Sequence, residues 1–300
     1  MAKDKNPIPA PEEIVAVALN EQGYLLQHKV VDVLLAHART DPSARNWSID
    51  ATEVPVSLPN EDETRIDLIL RRGQSASGPW RIVVECKRAA RDYKKWVFFG
   101  ETTTGRPPSP NCYYVEKAEL LGSWMHSDKP PSLTHQVVTC PVDEAYPVFE
   151  YGVEVRMNKP SREQRTSATT SIEDAFQQVL LGQTGLMLRL RTTNETNIRM
   201  IPLVITTAEL LSAHFAAEKV SGDKGMIDPS NLRLGQRRWL AVNVRMNDVV
   251  FKFSPNTTNR NMDLAMDIAS RQVRTVFVTQ AQHLKEFLAW LDALLIAGQL

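Results

Sequence analysis

Within "RIVVECKRA" (residues 81–89), an acid and an amine interrupt an apolar run. Side chains two apart on a strand project from one face, so Glu85 and Lys87 are expected beside Val83, with Ile82, Val84 and Cys86 opposite. Upstream, "TRIDLIL" (64–70) places Asp67 in a similar setting. Its alternation predicts Ile66, Leu68 and Leu70 on one face, with Arg65 and Asp67 on the other. If the two runs pair antiparallel through the 71–80 connector, Asp67 and Glu85 converge, because opposed Cβ atoms on neighbouring strands lie about 5 Å apart. Two carboxylates that close repel each other unless a cation sits between them. Hard oxygen ligands with room for water suit Mg²⁺ or Mn²⁺, and the backbone carbonyl of Cys86 is a further candidate ligand. Lys87 would then stand near the metal-bound water, orienting it or offsetting the charge that develops on phosphorus. The competing reading is a salt bridge at a sheet edge. Such exposed pairs are typically worth ~0–1 kcal/mol, and they give no reason for the flanking "IVV" burial.

Positioning these groups requires a sheet and its supports. Residues 1–10 are polar and Pro-containing and read as a flexible arm. In "PEEIVAVALNEQGYLLQHKVVDVLLAHA", Leu26, Val30, Val33 and Leu34 recur at helical spacing, and Gly23 predicts a break before a second helix. Three β-rich runs follow, at 46–58, 64–70 and 81–87, close enough in sequence for an antiparallel meander. Residues 101–160 hold eight of the 18 prolines, so 91–164 reads as an insertion of short strands and irregular loops. "TTSIEDAFQQVLLGQTGLMLRL" restores helical spacing, with Ser171 and Asp174 as a capping pair. "IRMIPLVITTAEL" (198–210) reads as a buried strand leading into a helix capped by Thr206 or Thr207. "RWLAVNVRMNDVVFKFSP" predicts a hairpin turning at Asn247-Asp248. "VRTVFVTQ" is a further strand, and Leu284, Phe287, Leu288, Leu291 and Leu295 stripe a terminal helix.

The bulk composition narrows the classes. Across 300 residues, 35 basic and 35 acidic side chains balance, so nucleic-acid binding would need a local basic patch. "KRAARDYKKW" supplies one, with Lys87, Arg88, Arg91, Lys94 and Lys95 as phosphate contacts. Trp96, Phe98, Phe99, Tyr113, Tyr114 and Trp124 could stack on bases, although filling a small core is the commoner fate of such residues. Three widely spaced cysteines without CxxC fit reduced thiols in a cytoplasmic protein. Six scattered histidines make no HExxH pair, and there is neither a P-loop nor GxGxxG. No apolar run approaches the roughly 20 residues a membrane helix needs.

"TRIDLIL…WRIVVECKRA" resembles the D…ExK signature of the PD-(D/E)xK nuclease superfamily. The resemblance spans roughly residues 12–210. It implies an α/β protein with a restriction-endonuclease-like αβββαβ core and a mixed central sheet. The core would comprise 11–90 and 165–210, with a long insertion after the third strand and a C-terminal strand/helix extension over 211–300 packed on it. Carried over, Asp67 and Glu85 are metal ligands and Lys87 is the catalytic lysine. Glu21 resembles a first-helix glutamate that some members use. Gln177 and Gln178 both resemble a glutamine that other members carry on the helix after the third strand. Ile66 stands where many members have proline before the aspartate, and the length of the insertion puts transfer of any subfamily's substrate in doubt.

The activity so implied is Mg²⁺- or Mn²⁺-dependent hydrolysis of DNA phosphodiester bonds. The expected partners are DNA and no membrane, and homodimers occur among nucleases of this class. The alternative is an inactive module of the same fold that binds nucleic acid or a protein. An intact acid–acid–lysine set speaks against it, because binding alone does not need all three.

Overall fold

A computed structural model describes residues 10–21, 24–40, 46–58, 62–75, 78–89, 94–100, 112–121, 132–141, 146–155, 171–190, 198–245 and 273–296. Helices α1 (Pro11–Glu21) and α2 (Tyr24–Thr40) come first, and the break expected at Gly23 lies outside the described residues. Leu26, Val30 and Leu34, one turn apart, form the buried stripe of α2. Next come β1 (Trp47–Ser57), β2 (Glu63–Ser75) and β3 (Gly78–Lys87), which pair as an antiparallel meander. The chain continues through β4 (Lys95–Phe99), β5 (Cys112–Leu121), β6 (Ser132–Pro141), β7 (Val148–Phe149) and β8 (Tyr151–Val155) to α3 (Ser171–Leu190). It ends with β9 (Ile198–Thr206), β10 (Glu209–His214), β11 (Arg233–Arg237), β12 (Trp239–Arg245), β13 (Val273–Gln280) and α4 (Leu284–Ile296).

The molecule is a mixed α/β structure. Nine of the described strands share one mixed sheet in the order β1-β2-β3-β9-β13-β12-β7, with β5 branching from β9 and β6 pairing with β5. β9 runs parallel to β3 and to β13. Parallel neighbours cannot be joined by a tight turn, and the route from β3 to β9 passes through α3. A second sheet has the order β11-β10-β4-β8. The segments read as an insertion and an extension therefore supply strands to these two sheets, β4–β8 from the first and β10–β13 from the second.

Two apolar layers clothe the large sheet. On one face, Leu26 and Val30 of α2 and Phe287 and Leu291 of α4 pack on Leu68, Leu70, Ile82 and Val84. On the other, Ala175, Phe176 and Val179 of α3 pack with Val83, Val204, Trp96 and Phe98. Trp96, Phe98, Tyr113 and Tyr114 are thus core residues and unavailable for stacking on bases; Trp124 lies outside the described residues. Asp292 ties α4 to the meander: its carboxylate accepts from Trp47 Nε1 at 2.9 Å and lies 2.9 Å from Nε of Arg72.

Several sequence expectations change. Residues 209–214 form the strand β10, paired parallel with β4, rather than a helix, and the hydroxyls expected to cap a helix are used in the turn before it. Thr206 Oγ1 accepts from the Ala208 amide at 3.1 Å, and Thr207 Oγ1 accepts from the Ala89 amide at 3.0 Å. The antiparallel partner of β12 is β13, and the turn expected at Asn247-Asp248 lies outside the described residues. Ser171 does not cap α3 with Asp174; its hydroxyl donates to the Glu154 carboxylate on β8. Alternation along β2 also breaks. Ile66 packs into the α3 layer, whereas Leu68 and Leu70 face α2 and α4.

Helix α3 sits close on the meander because it carries glycine where other side chains would collide. A Cβ on Gly182 would lie 2.9 Å from Ile66 Cγ1, and one on Gly185 would lie 2.5 Å from Val56 Cγ2. Forcing extra carbon into such a contact costs about 1–3 kcal/mol, more than the ~1 kcal/mol that alanine gains in helix propensity over glycine. Gly185→Ala, whose Cβ would make the tighter of the two contacts, is therefore expected to destabilise the protein by up to about 2 kcal/mol, read as a lower Tm on thermal unfolding. A variant as stable as the parent would show that α3 has room to lift.

Candidate active site

The site forms where the β2–β3 ladder stops. Its last pairing at that end is Leu68 with Val84. Two residues further along β3, the Cys86 amide donates to Asp67 Oδ2 at 2.7 Å. A side chain thus supplies the acceptor for a backbone donor that cannot be left unpaired in a buried place. The Asp67 main chain is held from the other side, its carbonyl accepting from Gln27 Nε2 of α2 at 2.8 Å. Opposite Asp67 on β1 stands Glu53, since Thr52 pairs with Leu68 and Val54 with Ile66. Glu53 has φ +53°, and among the described residues it is the non-glycine with positive φ. This left-handed residue on β1 sits beside the point where β2 alternation inverts, and Ala51 and Val54, three apart, both reach the α3 layer.

Glu85 is one residue beyond Val84 on β3 and is about nine-tenths buried. Its side chain makes no hydrogen bond or ion pair among the described residues. Burial first, and the charge of Asp67 second, push its carboxyl up to about 8, with Lys87 pulling the other way. Asp67 is also raised, chiefly by burial, against the lowering effect of the Cys86 amide. Lys87 Nζ donates to Gln178 Oε1 on α3 at 3.3 Å. Gln177 instead lines a cavity of about 970 Å³ along the first turns of α3, with Phe99, Tyr151, Glu173 and Arg245. The Cys86 side chain belongs to the opposite apolar layer, and burial raises its thiol well above the ordinary value. Only its main chain can serve the site.

The structure therefore brings Asp67, Glu85, Lys87 and Gln178 together. Glu21 closes α1, and its side chain lies outside the described residues, as does Arg91. Arg88 is half-buried and Lys94 is exposed. Lys95 Nζ lies 3.2 Å from Glu209 Oε2, so part of its charge is already answered. The turn at 206–208 steadies this end of β3 through Ala89, and the Glu209 amide donates to the Lys94 carbonyl at 2.7 Å. Sequence reading missed Glu53 and Gln27. Gln27 carries no signal beyond its place on an amphipathic helix, and Glu53 becomes visible only once the β1–β2 register is known.

As a donor set, Asp67 and Glu85 offer carboxylate oxygens beside an ammonium. No three His, Cys, Asp or Glu side chains among the described residues are gathered to hold a metal ion together. A pair of carboxylates still matches the needs of Mg²⁺, which keeps several waters and commonly takes one or two protein carboxylates. Glu85, buried and without a hydrogen-bond donor, is the group most in need of a cation.

Comparison with models of known protein families, with curated proteins and with solved structures gave no match in any of the three. Among the described residues no helix is long and apolar enough to cross a membrane.

A carboxyl whose folded value is raised holds its proton to higher pH than the unfolded chain does. Its contribution to stability is complete below pH 4.5 and is lost as pH rises through about 8. Glu85→Gln, in the presence of EDTA, is expected to match the parent near pH 4.5 and to exceed it above pH 8 by about 2–4 kcal/mol. Urea unfolding at both pH values measures this. Equal stability at high pH would mean that Glu85 is solvated and uncoupled from Asp67.

Proposed function

We propose that this chain is a metal-dependent nuclease that hydrolyses DNA phosphodiester bonds, with Asp67 and Glu85 holding Mg²⁺ or Mn²⁺. The carrying observation is the buried, hydrogen-bond-free carboxylate of Glu85 beside Asp67, with Lys87 held by Gln178 at the same strand ends. The topology supports the same reading. An antiparallel β1–β2–β3 meander, a helix, and a strand parallel to β3 follow the αβββαβ order of the restriction-endonuclease-like core.

When bound, the cation supplies Lewis-acid activation of water and neutralises phosphate charge. The chain's residues do the rest. Asp67, pinned by the Cys86 amide, presents its other oxygen at a fixed place. Glu85 offers a charge that burial disfavours and that Lys87 and Arg65 offset only in part. Lys87 adds one positive charge towards the phosphate, and Gln178 limits where that amine can swing. Arg88 and Lys94 would meet the backbone on either side, and two copies of the chain would serve to cut both strands.

Linear, supercoiled and single-stranded DNA should be incubated with the protein in Mg²⁺, Mn²⁺ or EDTA, beside Lys87→Ala. Cleavage is expected only with metal, and the variant should lose it by at least a hundredfold, about 3 kcal/mol of transition-state stabilisation. Binding without cleavage would replace this reading with a non-catalytic DNA-binding module. No interaction with any of the substrates would end it.

A further inference from the structure

The proposed cation site has two carboxylates from one edge of the meander, yet a third acid faces the same place from the neighbouring strand. Glu53 lies opposite Asp67 in the β1–β2 register. One of its oxygens, Oε2, is 2.8 Å from Arg65 Nη1. The other, Oε1, is buried and accepts no hydrogen bond. An ion pair satisfied on one side only is an odd way to stabilise a strand. Arg65 is about half exposed, so solvent screens the pair and it contributes little, whereas an orphaned buried acceptor forfeits its hydration without a replacement bond. Positive φ at a residue with a long side chain adds a further cost. A purely structural role leaves both costs unexplained.

We infer that Glu53 is a positioning residue of the cation site: Arg65 clamps its Oε2 so that the unpaired Oε1 accepts from the hydration shell of a divalent cation held by Asp67 and Glu85. This rests on the proposed cation site. A role through water follows from the spacing, since the three carboxylates are not gathered around one ion, and Mg²⁺ and Mn²⁺ retain waters when few protein ligands reach them. The charge of Glu53 acts on both partners, opposing ionisation of Asp67 and of Glu85. That repulsion is relieved when a cation arrives.

The test is Mn²⁺ binding to the full chain, followed by electron paramagnetic resonance, for the parent, Glu53→Gln and Asp67→Asn, with Tm recorded with and without Mn²⁺. The parent is expected to bind, Asp67→Asn to lose binding, and Glu53→Gln to bind ~10–100-fold more weakly, the usual range for an outer-shell partner. Without Mn²⁺, the Tm of Glu53→Gln should equal or exceed the parent's. Should Glu53→Gln fail to fold, Glu53→Asp is the substitute; it suits the positive φ and retracts the carboxylate, and weaker binding is again expected. Parent-like affinity in the Glu53 variant, with binding lost in Asp67→Asn, overturns this inference alone. A Tm lowered equally with and without Mn²⁺ at unchanged affinity does the same, assigning Glu53 to the fold. A parent that binds no Mn²⁺ removes the cation site and this inference together.

Discussion

The hydrogen bond from the Cys86 amide to the Asp67 carboxylate is where fold and site become one object. A β-ladder that simply continued would spend the Cys86 amide on a backbone carbonyl and leave Asp67 as an ordinary outward side chain. Pairing stops at Leu68 and Val84 instead. The strand ends are then held by an acid and an amide, with Gln27 closing the other side of the Asp67 peptide. An unpaired buried amide costs about 1–3 kcal/mol, so the sheet itself keeps Asp67 in place. That fixes where Glu85, one step beyond the ladder, must sit. Burial of Glu85 is a consequence of strand geometry, and its raised protonation is a consequence of burial.

The remaining architecture serves to hold the other half of the site at the right distance. Gln178 reaches Lys87 only because α3 lies close on the meander, and it lies close because Gly182 and Gly185 leave room for Ile66 and Val56. The turn between β9 and β10 binds Ala89 and Lys94, so the segment leaving β3 is anchored at both of its described ends. On the opposite face, Asp292 joins α4 to β1 and β2. Phe287 and Trp290 of α4 join Tyr113, Tyr146, Trp239 and Phe277 in an aromatic cluster, with contacting ring centroids 4.9–6.4 Å apart.

What could be read from the chain was what local pattern encodes. The meander and the stripe of α4 follow from periodicity over a few residues. The "TTAEL" stretch misled because an apolar run after two hydroxyl residues suits a capped helix as well as a strand; its pairing with β4, more than a hundred residues earlier, decided between them. Side-chain alternation also failed at one step. Inversion at Asp67 sits opposite a left-handed residue on another strand, and nothing in "TRIDLIL" announces it. Of the two adjacent glutamines, helical spacing alone could not pick Gln178; the closeness of α3 to β3 does.

The charge of the site then bears on how a polyanion could approach. Asp67, Glu85 and Glu53 face Lys87, while Arg65 is turned to Glu53 and Lys95 to Glu209. Left to these groups, the strand ends carry more negative than positive charge in a chain with no net charge, which on the proposed reading opposes the approach of a phosphate. Two states relieve that excess: protonation of Glu85 or arrival of a cation. Protonation fades as pH rises through about 8, whereas a divalent ion, on the same reading, would add two positive charges and let the strand ends accept a phosphate. On the proposed reading, cation and substrate therefore favour each other's binding, and the electrostatic cost of burying Glu85 in the metal-free fold is what makes the coupling steep.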